Sequence, residues 1–156
     1  MLHLFLMGAA GVQMGTVFAM STESPAHLAF KERFRRARSQ EAFATPQYDS
    51  SLPVVSVRAL KNRGTDDFGR LQLELLQQIE QGRINRVQAQ YEVEKYWVGA
   101  LREAVQNGDV DRGSLMAGQS VGLVKEIRPV KEIIANLVRD AENELVAVRR
   151  MLCDRD

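Results

Sequence analysis

The chain has 156 residues, enough for one domain with a modest core, and its 45% hydrophobic and 26% charged residues are ordinary for a globular protein. Lys and Arg number 21 against 20 Asp and Glu, a formal net charge of +1, so no global field draws the chain to nucleic acid or to an anionic membrane. The single Cys153 excludes an internal disulfide and suits a reducing, cytoplasmic setting.

Residues Met1–Met20 contain no Lys, Arg, Asp or Glu, which raises a signal peptide or a membrane span. The flanks argue against both: no basic residue precedes the apolar run, and Gly8, Gly11, Gln13 and Gly15 interrupt it short of a span. Within it, Leu2 and Leu4–Met7 read as the last turns of a helix stopped at Gly8. Ala10–Met14 reads as a buried parallel strand, because a strand covered on both faces is continuously apolar. It ends at Gly15-Thr16, where backbone N–H groups and a hydroxyl face whatever approaches the turn. Ser24 as N-cap and Pro25 at the first position then open a helix over Pro25–Arg38, with Leu28, Phe30, Phe34 and Ala37 at helical spacing. The run KERFRRAR at Lys31–Arg38 reads as the solvated face of that helix, since the domain as a whole is not basic.

Thr45–Pro53 holds two of the four prolines and reads as a connection, and Val54–Leu60, rich in β-branched residues, as a short strand. Two helices follow. Asp66–Gln81 carries Leu71, Leu75, Leu76 and Ile79 and stops at Gly82; Val87–Asn107 carries Tyr91, Val98, Leu101 and Val105 and stops at Gly108. Tyr91, Tyr96 and Trp97 read as core or cap packing. Gly113–Gly122 is a glycine-rich, close-packed turn between helices, and Pro129–Leu152 a long amphipathic helix. No repeat or low-complexity tract interrupts the sequence.

Two segments carry a resemblance. AAGVQMGT at Ala9–Thr16 and GSLMAGQSVGLVKEIRPVKEII at Gly113–Ile134, joined through VRALKNRG at Val57–Gly64, resemble in order the C-terminal part of the nitronate monooxygenase family, formerly the 2-nitropropane dioxygenases. The flavin-type enoyl-ACP reductase is its close relative. The resemblance implies an α/β fold in which this chain is the C-terminal fragment of a (β/α)8 TIM barrel with a helical cap, mostly α in this stretch. Its segments would be the last helix-strand-helix of the barrel at 1–45, a connecting and helical cap segment at 46–128, and a C-terminal amphipathic helix at 129–156. The earlier strands, the first phosphate-binding glycine loop and the family's catalytic histidine would precede this segment.

The resemblance also implies FMN as cofactor, with Gln13, Met14, Gly15 and Thr16 on the family's flavin-binding Gln-x-Gly-Thr. It brings GQSVG to the rim of the flavin pocket, so that Gln119 and Ser120 orient the substrate or the ring and Met116 walls the cavity. His3 and His27 match no catalytic position and have no Cys, His or carboxylate at metal-ligand spacing, so both read as structural and no metal site is expected.

Two functions follow. The first is an FMN-dependent oxidoreductase of the nitronate monooxygenase type, oxidising alkyl nitronates with dioxygen, or its enoyl-ACP reductase counterpart acting on an acyl thioester. The second is a non-catalytic helical fragment that pairs with itself as a homo-oligomer, or with a companion chain supplying the rest of the barrel. Either way the partners are a small molecule or protein, not nucleic acid or membrane. A cut barrel should also leave Val, Leu and Ile exposed around Ala10–Phe18 and self-associate.

Overall fold

Leu2–Leu6 (α1), Thr16–Ala19 (α2), Leu28–Arg36 (α3), Arg63–Glu80 (α4), Arg86–Val105 (α5) and Val130–Cys153 (α6) dominate a computed structural model that describes residues 1–153. The last three residues of the segment expected at 129–156 lie outside the described residues. Two three-residue strands, Ala42–Ala44 (β1) and Arg58–Leu60 (β2), complete the regular structure with short 3-10 turns at Ser39–Glu41 and Gln119–Leu123. The chain is mostly helical, as expected. By contact it forms two compact units: Pro25–Glu126, and Met1–Ser24 together with the chain from Ile127 onward.

In the Pro25–Glu126 unit, the long helices begin at asparagines. Asn62 Oδ1 accepts from Thr65 N–H at 3.0 Å and Asn62 N–H donates to Thr65 Oγ1 at 3.1 Å; Asn85 and Gln88 make the same reciprocal pair at 2.9 Å. Each pair satisfies otherwise orphaned donors of a first turn. Gly82 (φ +66) and Gly108 (φ +74) end the helices in the left-handed region that glycine enters without strain.

α4 buries Phe68, Gln72 and Leu75 and packs on α5. Leu52 and Val54, from the connection before β2, join Phe68, Leu75, Ala89 and Val93 in one core. Phe68 is fully buried, its ring 4.3 Å from that of Trp97 and 5.5 Å from that of Tyr96. The stripe expected on α5 is corrected here: Tyr91, Val98 and Leu101 are exposed, and Ala89, Val93, Ala100 and Ala104 face inward. The small alanines let α5 approach its neighbours closely, and that contact outweighs the larger side chains at neighbouring positions.

β1 and β2 pair antiparallel, with Ala42 opposite Leu60, Phe43 opposite Ala59 and Ala44 opposite Arg58. The strand expected over Val54–Leu60 is confined to its last three residues, although Thr45 N–H donates to Val57 O at 2.8 Å and Thr45 Oγ1 accepts from Val57 N–H at 3.0 Å just beyond the ladder. α3 starts later than Pro25. Its N-cap is His27, not Ser24: the ring Nδ1 accepts from Ala29 N–H at 3.1 Å, which gives this histidine a structural role. Phe30 and Phe34 are buried and stack at 4.2 Å, whereas Leu28 is exposed.

In the other unit, α1 and α2 pack on α6. α1 stops at Gly8 (φ +96), as expected. The strand expected at Ala10–Met14 is overturned: the segment is irregular, and Ala10, Gly11 and Gln13 are exposed. A parallel strand exists only when neighbours complete its ladder, and among the described residues the strands are β1 and β2 alone. The apolar exposure expected around Ala10–Phe18 falls elsewhere. Val12, Met14, Val17 and Phe18 are half-buried, while Leu4, Phe5, Leu6 and Met7 and one face of α6 are exposed. No described helix is long and apolar enough to cross a membrane.

Candidate functional site

The turn at residues 13–16 is built from the unit containing α6. Among the described residues, the N–H groups of 10–14 donate to no backbone carbonyl. The chain turns at Gly15, whose carbonyl accepts from Ala19 N–H at 2.9 Å and so begins α2. Gln13 and Gly15 are exposed, Met14 and Thr16 half-buried. The turn is anchored from behind: Thr22 N–H donates to Arg128 O at 3.0 Å, and both Glu23 carboxylate oxygens accept from Val130 N–H at 3.0 Å. A carboxylate there also suits the positive end of α6.

Gly15 has no structural reason to be glycine. Its φ of −101 is open to any residue, and a Cβ on it would meet no atom within 4 Å. What the glycine leaves is open space beside exposed backbone donors. That is the condition under which an anionic group can come close to a main chain, so the residues present fit a flavin phosphate.

The second block, Gly113–Gly122, is built in the Pro25–Glu126 unit. Leu115 O accepts from Leu60 N–H and Arg58 O from Ala117 N–H, both at 3.0 Å, and Met116 bridges antiparallel to Ala59. The segment therefore lies along the free edge of β2, held there by a single antiparallel bridge. Its first and last glycines are packing glycines: a Cβ on Gly113 would lie 2.5 Å from Ala104 N, and one on Gly122 would lie 2.7 Å from Ser39 N. Met116 is half-buried at the sheet edge, and Gln119 and Ser120 are exposed on the following 3-10 turn. Gln13, Met14, Gly15 and Thr16 thus belong to one unit and these three to the other.

Asn62 was not foreseen as more than part of a connecting stretch. Besides capping α4, its Nδ2 donates to Val110 O at 3.0 Å and Gly113 O at 2.8 Å. Gly64 N–H donates to Asp111 O at 3.0 Å, and a Gly64 Cβ would stand 2.2 Å from Arg112 O, so the two loops lie in backbone contact. Tyr96 Oη closes the cluster by donating to Gly64 O at 2.6 Å, and burial pushes its phenol above the usual range. The signal was present in sequence as Asn followed three residues later by Thr before an apolar-periodic run. Ser114, next to this cluster, has a buried hydroxyl without a hydrogen-bond partner. His3 is exposed, and among the described residues no three metal-binding side chains gather.

The sequence pattern of the nitronate monooxygenase family matches residues 3–140. The chain belongs to the nitronate monooxygenase family. Among solved structures, it is similar to FabK from Thermotoga maritima, at 34% identity and a TM-score of 0.72, over 93% of this chain and 41% of that one. A methionine-to-alanine mutant of the same FabK is similar at 31% identity and a TM-score of 0.67, over 93% of this chain and 38% of that one. The chain thus spans about two fifths of the length of these solved relatives. No protein of curated function matches the chain significantly.

Proposed function

We propose that this chain is part of an FMN-dependent oxidoreductase of the nitronate monooxygenase type, acting on a small alkyl nitronate with dioxygen. The family match over residues 3–140 carries the reading. In it, the backbone of Gln13, Met14 and Gly15 and the Thr16 hydroxyl hold the flavin phosphate, in the open space beside Gly15. Met116 supplies an adaptable apolar wall to the substrate pocket, and Gln119 and Ser120 the polar groups that orient substrate or ring. The flavin, when bound, supplies the electron transfer; this chain's residues bind and orient. A protein of this kind fits a (β/α)8 barrel with a helical cap, of which this chain would be the C-terminal part. A second reading, a flavin-type enoyl-ACP reductase taking an acyl thioester, is favoured by the likeness to FabK at 34% identity.

Flavin binding is the test. Half a phosphate cradle orders poorly without upstream loops, so the isolated chain should show no stoichiometric flavin absorbance, and the chain within a complete barrel should show it. In that complete protein Gly15→Val should lose most of the flavin, because the side chain fills the space the phosphate needs. The same substitution in the isolated chain should leave its helicity unchanged, since a Cβ at Gly15 meets nothing within this chain. Unaltered flavin affinity would remove the phosphate assignment. Oxygen uptake with a nitronate, against nicotinamide oxidation with an enoyl thioester, separates the two readings.

A further inference from the structure

The 3-10 turn Gln119–Leu123 is seated on the C-terminal end of α3. It packs on α3, on the turn Ser39–Glu41 and on β1, with Val121 fully buried. Gly122 lies so close to Ser39 that a Cβ on it would stand 2.7 Å from Ser39 N. The seat is itself fixed, because Glu41 accepts from Arg38 N–H at 2.6 Å and from Arg33 Nη2 at 3.1 Å. One side chain ties the far end of the turn to it. Lys125 Nζ donates to Ala37 O at 2.6 Å, 88 residues away in sequence, and lies 3.5 Å from Arg35 O. A helix leaves such carbonyls at its C-terminal end without backbone partners, and a cation there also meets the negative end of the helix dipole. The arginines in the last turn of α3 are engaged by carboxylates instead: Arg33 by Glu41, and Arg35 and Arg36 by Glu32.

We infer that Lys125 is a positioning residue for Gln119 and Ser120, acting through the backbone of the 3-10 turn. The inference rests on the reading of those two residues as the polar groups of the substrate pocket. Both are exposed, so their placement follows that of the turn's backbone. The turn is short. Val121 N–H donates to Gly118 O at 3.0 Å and Val124 N–H to Val121 O at 3.2 Å, and so brief a 3-10 segment has little cooperativity of its own. Its two ends are therefore tied from outside: Ala117 N–H on Arg58 O ahead of it, and Lys125 Nζ on Ala37 O behind it. Releasing the second tie lets the pair drift relative to the substrate, and a displacement of about 1 Å is enough to weaken such contacts.

Two measurements on Lys125→Met test this, since methionine keeps the apolar stem and loses the charged donor. In this chain, amide hydrogen exchange at Val121 and Val124 should quicken roughly tenfold with α4 unchanged. In the complete flavin protein, KM should rise roughly tenfold with kcat and flavin content within about twofold of the parent. The substrate there is the nitronate of 2-nitropropane or an enoyl thioester, whichever is turned over. A mere loss of folded protein would instead lower the apparent kcat at the parent KM. Lys125→Arg, which restores a charged donor, should recover both exchange and KM. Gln119→Ala and Ser120→Ala separate this inference from the pocket reading beneath it. If both keep the parent KM, that reading falls and the role of Lys125 falls with it. If either is impaired while Lys125→Met keeps the parent KM, the positioning role alone is overturned. Parent exchange at Val121 and Val124 in Lys125→Met, or no recovery in Lys125→Arg, would overturn it as well.

Discussion

Glycine and glutamate positions show how differently residues of one type are held. Gly64 is required by the fold, since a Cβ there would stand 2.2 Å from Arg112 O, whereas Gly15 is free of any such neighbour. Glu41 is held from two sides. Its carboxylate accepts from Arg38 N–H at 2.6 Å and from Arg33 Nη2 at 3.1 Å. The backbone hydrogen bond from Arg38, with the Arg33 guanidinium behind it, holds its carboxyl below the usual carboxylate range. A depressed folded-state value means the contribution is present above the unfolded value of about 4.3 and is lost as pH falls through and below it. Glu41→Gln should therefore lower the melting temperature slightly at neutral pH and shrink its fall on acidification. Asp49, lowered by hydrogen bonds from Ser51, and Glu32, lowered by Arg35, keep the rest of the acid dependence. A melting curve whose acid fall is the same in Glu41→Gln as in the parent would contradict this.

At the scale of elements, α4 and the 110–113 loop are fixed together by one side chain. Asn62→Ala removes the cap on Thr65 N–H and both donors to Val110 O and Gly113 O. A cap at about 1 kcal/mol and two part-buried hydrogen bonds at about 0.5–1 kcal/mol each put the expected loss at about 2–3 kcal/mol in chemical denaturation. Asn62→Asp separates the two roles. Its carboxylate still caps the helix but cannot donate, so it should recover only the capping share. Equal stability of Asn62→Asp and the parent would show that the loop bonds carry no weight. Because Gly113 opens the segment whose Met116 bridges to Ala59, the same bonds set the position of that segment. α5 makes a related point: its large apolar residues Tyr91 and Val98 face outward because alanines make the closer contact with α4 and its neighbours.

For the whole molecule, the two units differ in how much they bury. The Pro25–Glu126 unit holds the Phe68 core, the Phe30–Phe34 pair and the β1–β2 sheet, while the unit containing α6 buries only Met20, Ser21 and Ile133 among its described residues. Opening free energy follows burial, so amide hydrogen exchange should release α6 well before α4. Equal protection of α4 and α6 would contradict this ordering.

The sequence by itself determined the local signals and the family. Stops at Gly8, Gly82 and Gly108, and the apolar period of α4 and α6, are properties of neighbouring residues, and the structure places helices there; the Asn62 and Asn85 caps are equally local but start those helices earlier than the expected Asp66 and Val87. Gln13–Thr16 and Gly113–Ile134 likewise lie within the matched family segment. What involves distant residues was decided only by tertiary structure. Ala10–Met14 has the composition of a buried strand, yet a strand is completed by its neighbours, and without them these residues are irregular. Leu115–Ala117 reads as a turn, yet the open edge of Arg58–Leu60 draws it into an antiparallel bridge. The inward face of α5 was hidden for the same reason: closeness of approach between helices, not the hydrophobicity of any residue, selected the alanines.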